Sequence, residues 1–154
     1  MKAISLWQPW ASLVVEGYKD VENRPWRSFY RGPLLIHASL KWDQEGADWI
    51  EENCSLQLAL KEDHEQGQIL GIVDMVECVK DYNSPWFFGP YGFVFENPKQ
   101  FKQSITYRGR QGLFNVPDEI ITEANNFDKK CSKCGKPGAC ENGLCLKCNA
   151  ERIK

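Results

Sequence analysis

The sequence has no apolar run approaching the roughly 18 residues that a membrane-spanning helix needs, so no membrane partner is expected. Its start, Met1 to Trp7, lacks an apolar h-region and a small-residue cleavage site, which argues against a secretory signal. A cytoplasmic location is the expectation. No internal repeat and no low-complexity segment occurs, which sets aside solenoids and compositionally disordered chains. Nor does either sign of charge dominate: 19 Lys and Arg stand against 21 Asp and Glu. Proteins that coat nucleic acid by charge alone are strongly basic, so that class is set aside too.

What is present is an ordinary globular mix, 42% hydrophobic and 26% charged, in 154 residues. That length carries one main core plus a small appendage. The charge is unevenly spread. Residues 1–127 hold 12 basic and 18 acidic residues, a balance of −6, whereas residues 128–154 hold 7 and 3, a balance of +4. Apolar content drops near Phe127, and Gly, Lys and Cys take over. Two units are therefore expected, 1–127 and 128–154.

Seven cysteines in a reducing compartment point to metal before disulfides. Cys131-Ser-Lys-Cys134 and Cys145-Leu-Lys-Cys148 are two CxxC knuckles ten residues apart. Each turns two sulfurs to one point, and together they make a closed tetrahedral shell of four sulfurs suited to structural Zn²⁺. The tail is too short to fold on apolar burial, so metal binding would be its folding energy. Cys140 is a fifth sulfur in the intervening loop, spare or able to replace a ligand, and four-thiolate iron is an alternative metal. Cys54 and Cys78 sit among apolar residues and read as inert core.

Local patterns predict strands at 2–6, 19–23, 34–38, 68–79, 91–96, 104–107 and 113–116. Helices are expected at 9–16, 43–53, 56–64 and 117–126. Pro9 suits the first turn of the first helix and Gly17 its end. The run from Gln68 to Val79, rich in Ile and Val, is the clearest strand signal. Asn97-Pro98 is expected to stop the strand before it. Short strands with helices inserted early predict an α+β fold, a small mixed β-barrel with peripheral helices, followed by a small four-cysteine zinc element.

Chemistry concentrates near the start. Trp7 and Trp10 offer stacking faces, worth about 1–3 kcal/mol per base, with Trp10 the more natural core residue. Gln8, beside Pro9, offers an amide edge. Lys19 and Arg24 suit a phosphate or carboxylate. On an extended segment Glu22 and Arg24 share one face, so Lys19 must sit at a bend to join them. Each residue also has a plain structural role: packed Trp, ion-paired Glu and Arg, solvated Lys. His37 lies in an apolar strand, either a satisfied core histidine or a site group, while His64, among acids, reads as solvated. Asp74 and Glu77 face opposite sides of a strand, so one turns inward as a candidate general base for Lys19. Trp86-Phe87-Phe88 and Tyr91 either rim a cleft or cover the core.

Ser5-Leu6-Trp7-Gln8-Pro9-Trp10-Ala11, Gly17-x-Lys19-x-x-Glu22-x-Arg24, Tyr30-Arg31-Gly32-Pro33, Ile36-His37-Ala38-Ser39 and Gly109-Arg110-Gln111-Gly112-Leu113-Phe114 occur in that order. Together they resemble the ASCH domain family, a PUA-like group, over about residues 1–117. The resemblance implies a cleft that interacts with RNA or another nucleic acid. The cleft it implies carries Lys19, Glu22 and Arg24; with the residue chemistry above, the expected binding set is Trp7, Gln8, Pro9, Lys19, Glu22, Arg24, Arg31 and His37, with Arg108 and Arg110, in a loop near the barrel end, as added phosphate contacts. Some members of the family are hydrolases, and one type that deacylates a modified cytidine has a nucleophilic threonine three residues after its lysine. Here that position is Glu22. The leading expectation is thus an RNA- or nucleotide-binding module with a zinc tail. One alternative is a hydrolase of RNA or a modified nucleoside, with Lys19, Glu22, Asp74 and Glu77 as catalytic candidates. The other is an adaptor that engages a protein partner through its zinc tail.

Overall fold

Continuous apolar runs make the longer strands, and the strands make one sheet. The computed structural model describes residues 1–125, and every structural statement below concerns these. Cys131, Cys134, Cys140, Cys145 and Cys148, and with them the expected zinc element, lie outside the described residues.

Six strands, β1 (Lys2–Gln8), β2 (Val21–Arg24), β3 (Gly32–Trp42), β4 (Gln68–Val79), β5 (Tyr91–Thr106) and β6 (Leu113–Asn115), lie in the order β2-β5-β4-β3-β1-β6. β1 and β3 run parallel, and the other neighbours run antiparallel. The parallel pair needs a crossover, which holds α1 (Trp10–Val15) and β2. Gly17, at φ 88°, turns the chain out of α1, a left-handed conformation that suits glycine.

Successive strand residues face opposite sides, and both sides are covered. Ile4, Leu6, Leu34, Ile36 and Val73 pack with Ala11, Val14 and Val15 of α1. Ala3, Leu35, Ile69 and Ile72 pack on the other side with Phe101, Phe114 and Ile121 of α3 (Asp118–Asn125). A third cluster joins Leu13, Val21 and Val94 to Trp86 and to Ile50 of α2 (Gln44–Asn53). Asp43 caps α2 by accepting from the Gly46 N–H, 2.9 Å away. Among the described residues no helix is long and apolar enough to cross a membrane.

Three expectations are corrected. The sheet does not close into a barrel: its end strands, β2 and β6, do not pair. β6 is three residues long and covers only Lys2 to Ile4 of β1. β2 is four residues long and runs into Pro25, which has no N–H for a ladder. Asn97-Pro98 does not stop a strand, because β5 continues through it to Thr106. Asp74 faces Glu96 and Ile72 faces Lys99, so Asn97 and Pro98 together oppose Val73 in a β-bulge. The bulge accommodates both Asn97, at φ 52°, and a proline without a donor. Lastly, the expected helix at 56–64 reduces to a 3₁₀ turn, Lys61–Asp63, with no buried residue to hold anything longer.

Candidate functional site

The gap in the sheet is the site. Beyond Ile4 no strand covers the edge of β1, and β2 ends the sheet on the other side. Between them lies a cavity of about 330 Å³, walled by Ser5, Leu6 and Trp7 of β1, Trp10 of α1, Glu22, Asn23 and Arg24 of β2, and Pro25. One hydrogen bond spans the gap: Arg24 Nη2 donates to the Ser5 carbonyl at 3.0 Å.

The charges along β2 are ordered by burial. Lys19 lies just before the strand, its side chain only 4% exposed. Its ammonium donates to the Val21 carbonyl and, at 2.9 Å, to Glu22 Oε2. It also lies 5.7 Å from the Trp10 ring centroid. Glu22 faces a second cation, since its Oε1 is 3.6 Å from Arg24 Nε. That Nε is buried and has no acceptor in hydrogen-bond range. Lys19 is thus committed inside the protein to Val21 and Glu22, while Arg24, its side chain 23% exposed, lines the cavity. A group with accepting oxygens or ring nitrogens is its natural partner.

The two tryptophans play different parts. Trp7 is 47% exposed, and the Lys41 ammonium lies 5.0 Å from its ring centroid. Trp10 both walls the cavity and packs edge-on to Trp86, its indole N–H donating to Asp43 Oδ2 at 2.9 Å. The cavity therefore has an aromatic wall, a part-exposed arginine and a compensated carboxylate.

Other predicted site residues fall elsewhere. Gln8 is fully buried; its Oε1 accepts from the Ser12 N–H and hydroxyl, and its Nε2 donates to the Glu65 carbonyl. Its amide edge serves the fold and does not line the cavity. Pro9 is buried as the residue that starts α1. Arg31 is spent on the Ser28 and Tyr30 carbonyls and on Glu77, 3.1 Å away. Glu77 is exposed, and the Cys78 N–H, then Arg31, hold its carboxyl below the usual range. Asp74 accepts from Asn97 Nδ2 at 2.9 Å across the bulge. Neither carboxylate bonds Lys19, whose carboxylate partner is Glu22. His64 is not a solvated group but half-buried, 5.0 Å from the Trp42 ring. Trp86 belongs to the core, and Phe88 lies edge-on to Trp49, so this loop covers α2 and does not line the cavity.

His37 is buried between two fixed partners. Its Nε2 lies 2.7 Å from the Tyr107 carbonyl, which can only accept, so Nε2 carries the proton. Nδ1 then accepts from the Ser5 hydroxyl at 2.9 Å. Desolvation lowers its pKa from 6.5, against the opposing pull of the Tyr107 carbonyl. A neutral imidazole with both nitrogens used ties the 107–112 turn to β1. Arg108 and Arg110 are exposed on that turn. Cys54 is half-buried, and desolvation pushes its thiol up, away from reactivity. Among the described residues no group of three or more His, Cys, Asp or Glu is placed to hold a metal.

Asn23, Ser5 and Lys41 did not stand out as site residues in the sequence. Asn23 Oδ1 accepts from the Phe88 and Gly89 N–H groups, and its Nδ2 donates to the Trp86 carbonyl. The available signal was the 83–90 loop itself, whose backbone groups need partners that a Pro- and Gly-interrupted segment cannot supply. Nothing local marked Ser5 or Lys41, whose roles depend on partners distant in the chain.

Comparison with known proteins bears on the family and the fold. Residues 4–93 match the family described as the ASCH domain. The chain is 27% identical over 132 residues to Activating signal cointegrator 1 from Homo sapiens and from Mus musculus, a match covering 76% of this chain. It spans only 22% of the length of either protein. In three dimensions it resembles a crystal structure of ASCH from Zymomonas mobilis, with a TM-score of 0.52 and 14% identity, over 78% of this chain and 90% of that one. At that identity the likeness speaks for the fold alone.

Proposed function

This chain belongs to the ASCH domain family, and from that premise we propose that it is a nucleic-acid-binding module, for RNA in the first place, whose cleft takes a single base or nucleotide. One observation carries the reading: the guanidinium side chain of Arg24, 23% exposed, lines a cavity that Trp7 and Trp10 also wall. Flat aromatic surface beside a directional cation is what a base and its phosphate or carbonyl oxygens require. The cavity lies at the lower end of the size range for small-ligand sites, about 300–1,000 Å³. A hydrolytic reading gains less support. Lys19 and Glu22 neutralise each other, and neither Asp74 nor Glu77 bonds Lys19 as a base.

The test is titration of a labelled single-stranded RNA by fluorescence anisotropy. Trp7→Ala and Arg24→Ala are each expected to weaken binding about tenfold or more, by loss of a stacked base or of a charge-assisted hydrogen bond. Truncation after Phe127 is expected to cost less. A larger loss on truncation would move the interface to the basic tail, and unchanged affinity in all three variants would sink the RNA reading.

For the tail we propose one structural Zn²⁺ held by Cys131, Cys134, Cys145 and Cys148, on the strength of the paired knuckles alone. Metal analysis of the purified chain should give one zinc per chain, lost in the double variant Cys131→Ser, Cys134→Ser. Equal zinc in both proteins, or iron in its place, would overturn this assignment.

A further inference from the structure

The cleft borders cations that form no ion pair among the described residues. Resting on the nucleotide reading of the cleft, we propose that the ligand is a single-stranded RNA segment. One base enters the cleft, and the adjoining backbone runs over Trp7 and Lys41 to Arg108 and Arg110.

The placement comes from three contacts. Lys41, exposed near the end of β3, holds its ammonium 5.0 Å from the Trp7 ring centroid. The 107–112 turn lies directly on β1 and β3. A Cβ at Gly109 would fall 2.6 Å from His37 Cε1 and 3.0 Å from Ser5 Oγ, so the turn touches both residues with bare backbone. Tyr107 accepts from His37 in the same place. Ser5 and Trp7 are two apart on β1 and project from one face. Arg108 and Arg110, exposed on either side of Gly109, therefore flank the face that carries Trp7.

Charge use separates this ledge from Lys19 and Arg31. Lys19 and Arg31 are bonded to Glu22 and Glu77. Lys41, Arg108 and Arg110 form no ion pair among the described residues. They form a cationic strip on a body whose balance over residues 1–127 is −6. Cations confined to one such strip can follow one backbone, while the acidic remainder repels the second strand of a duplex. A base can enter the cavity only if it is unstacked, which single strands permit at least cost. Trp7 has two ring faces. Lys41 covers one, the base takes the other, and the ammonium lies within reach of the neighbouring phosphate.

The experiment uses the full chain and three probes: a single-stranded RNA of about ten nucleotides, the same sequence as a blunt duplex, and an equimolar mixture of the four nucleoside monophosphates as competitor. The single strand should bind at least tenfold more tightly than the duplex or the mononucleotides. The triple variant Lys41→Ala, Arg108→Ala, Arg110→Ala should lose about tenfold for the oligonucleotide. Its salt dependence should flatten by about 2 in the slope of log K against log salt, at roughly 0.7 per phosphate lost. In the double variant Arg108→Ala, Arg110→Ala, which leaves the cleft wall intact, mononucleotide competition should not change, and an unchanged melting temperature confirms the fold. Oligonucleotide binding no tighter than mononucleotide binding, an unaltered triple variant, or equal duplex affinity would overturn the ledge and leave the cleft reading standing. No binding of any probe would remove both.

Discussion

The two ends of the Gly17–Arg24 segment carry similar charges to different ends. Lys19 is buried, with its ammonium committed to Val21 and Glu22 and packed beside Trp10. Arg24, five residues on, reaches across the cleft to the Ser5 carbonyl and leaves Nε without an acceptor. Glu22 stands between them and touches both. A glutamate held on one side only would leave either a buried lysine uncompensated or the arginine free to swing. Held on both, it fixes where the arginine fork sits. One part of the motif builds the wall and the other presents it, so a shared motif does not give its members a shared role.

Removing the buried cation should have the largest effect. Lys19→Met keeps the stem but strips Glu22 of its closest partner, leaving a carboxylate that is 15% exposed with Arg24 alone at 3.6 Å. Removing one member of a buried ion pair costs about 3–5 kcal/mol. The remaining arginine should offset part of that, so urea unfolding should show a loss of about 3 kcal/mol. Arg24→Ala removes a partly buried group with one backbone hydrogen bond and should cost about 1 kcal/mol, while harming RNA binding far more. Equal stability losses in the two variants would erase the distinction between wall and presenting group.

How much of this was legible in the sequence follows the range of the interactions involved. The span of β4 was readable because a run of β-branched residues is a local signal, and so was the start of α2, whose Asp43 cap acts three residues away. The missing barrel closure was not, because it depends on the lengths of β2 and β6, strands that never meet. The Asn97-Pro98 bulge was hidden for a similar reason, since only β4 shows that two residues oppose one. At the site, Trp7, Trp10, Glu22 and Arg24 were visible as a set, and the structure brings all four to one cavity. Burial was not visible. Gln8 has the same residue type whether it reads a ligand or satisfies Ser12 and Glu65, and only its zero exposure separates the two. Asn23 and Lys41 gain their meaning from the 83–90 loop and from Trp7, each remote in sequence.

A smaller effect tests whether the ledge is tied to the cleft as the geometry requires. His37 is neutral in the fold, with Nε2 donating to Tyr107 and Nδ1 accepting from Ser5. Its folded pKa lies below 6.5 because burial disfavours the cation. The unfolded chain therefore binds a proton more readily than the fold does, and stability must rise with pH in that range. The contribution is complete above about pH 6.5 and is lost as pH falls toward the lowered folded value. Once protonated, Nδ1 no longer accepts from Ser5, and the tie between β1 and the 107–112 turn weakens. Urea midpoints measured between about pH 7.5 and 5 should fall on acidification, and His37→Gln, which keeps a donor and an acceptor but cannot titrate, should flatten that slope. If the turn also positions Arg108 and Arg110, RNA affinity should drop over the same interval in the parent chain and less in the variant. A parallel pH dependence of stability in both proteins would assign it to other groups and leave the turn held by something besides His37.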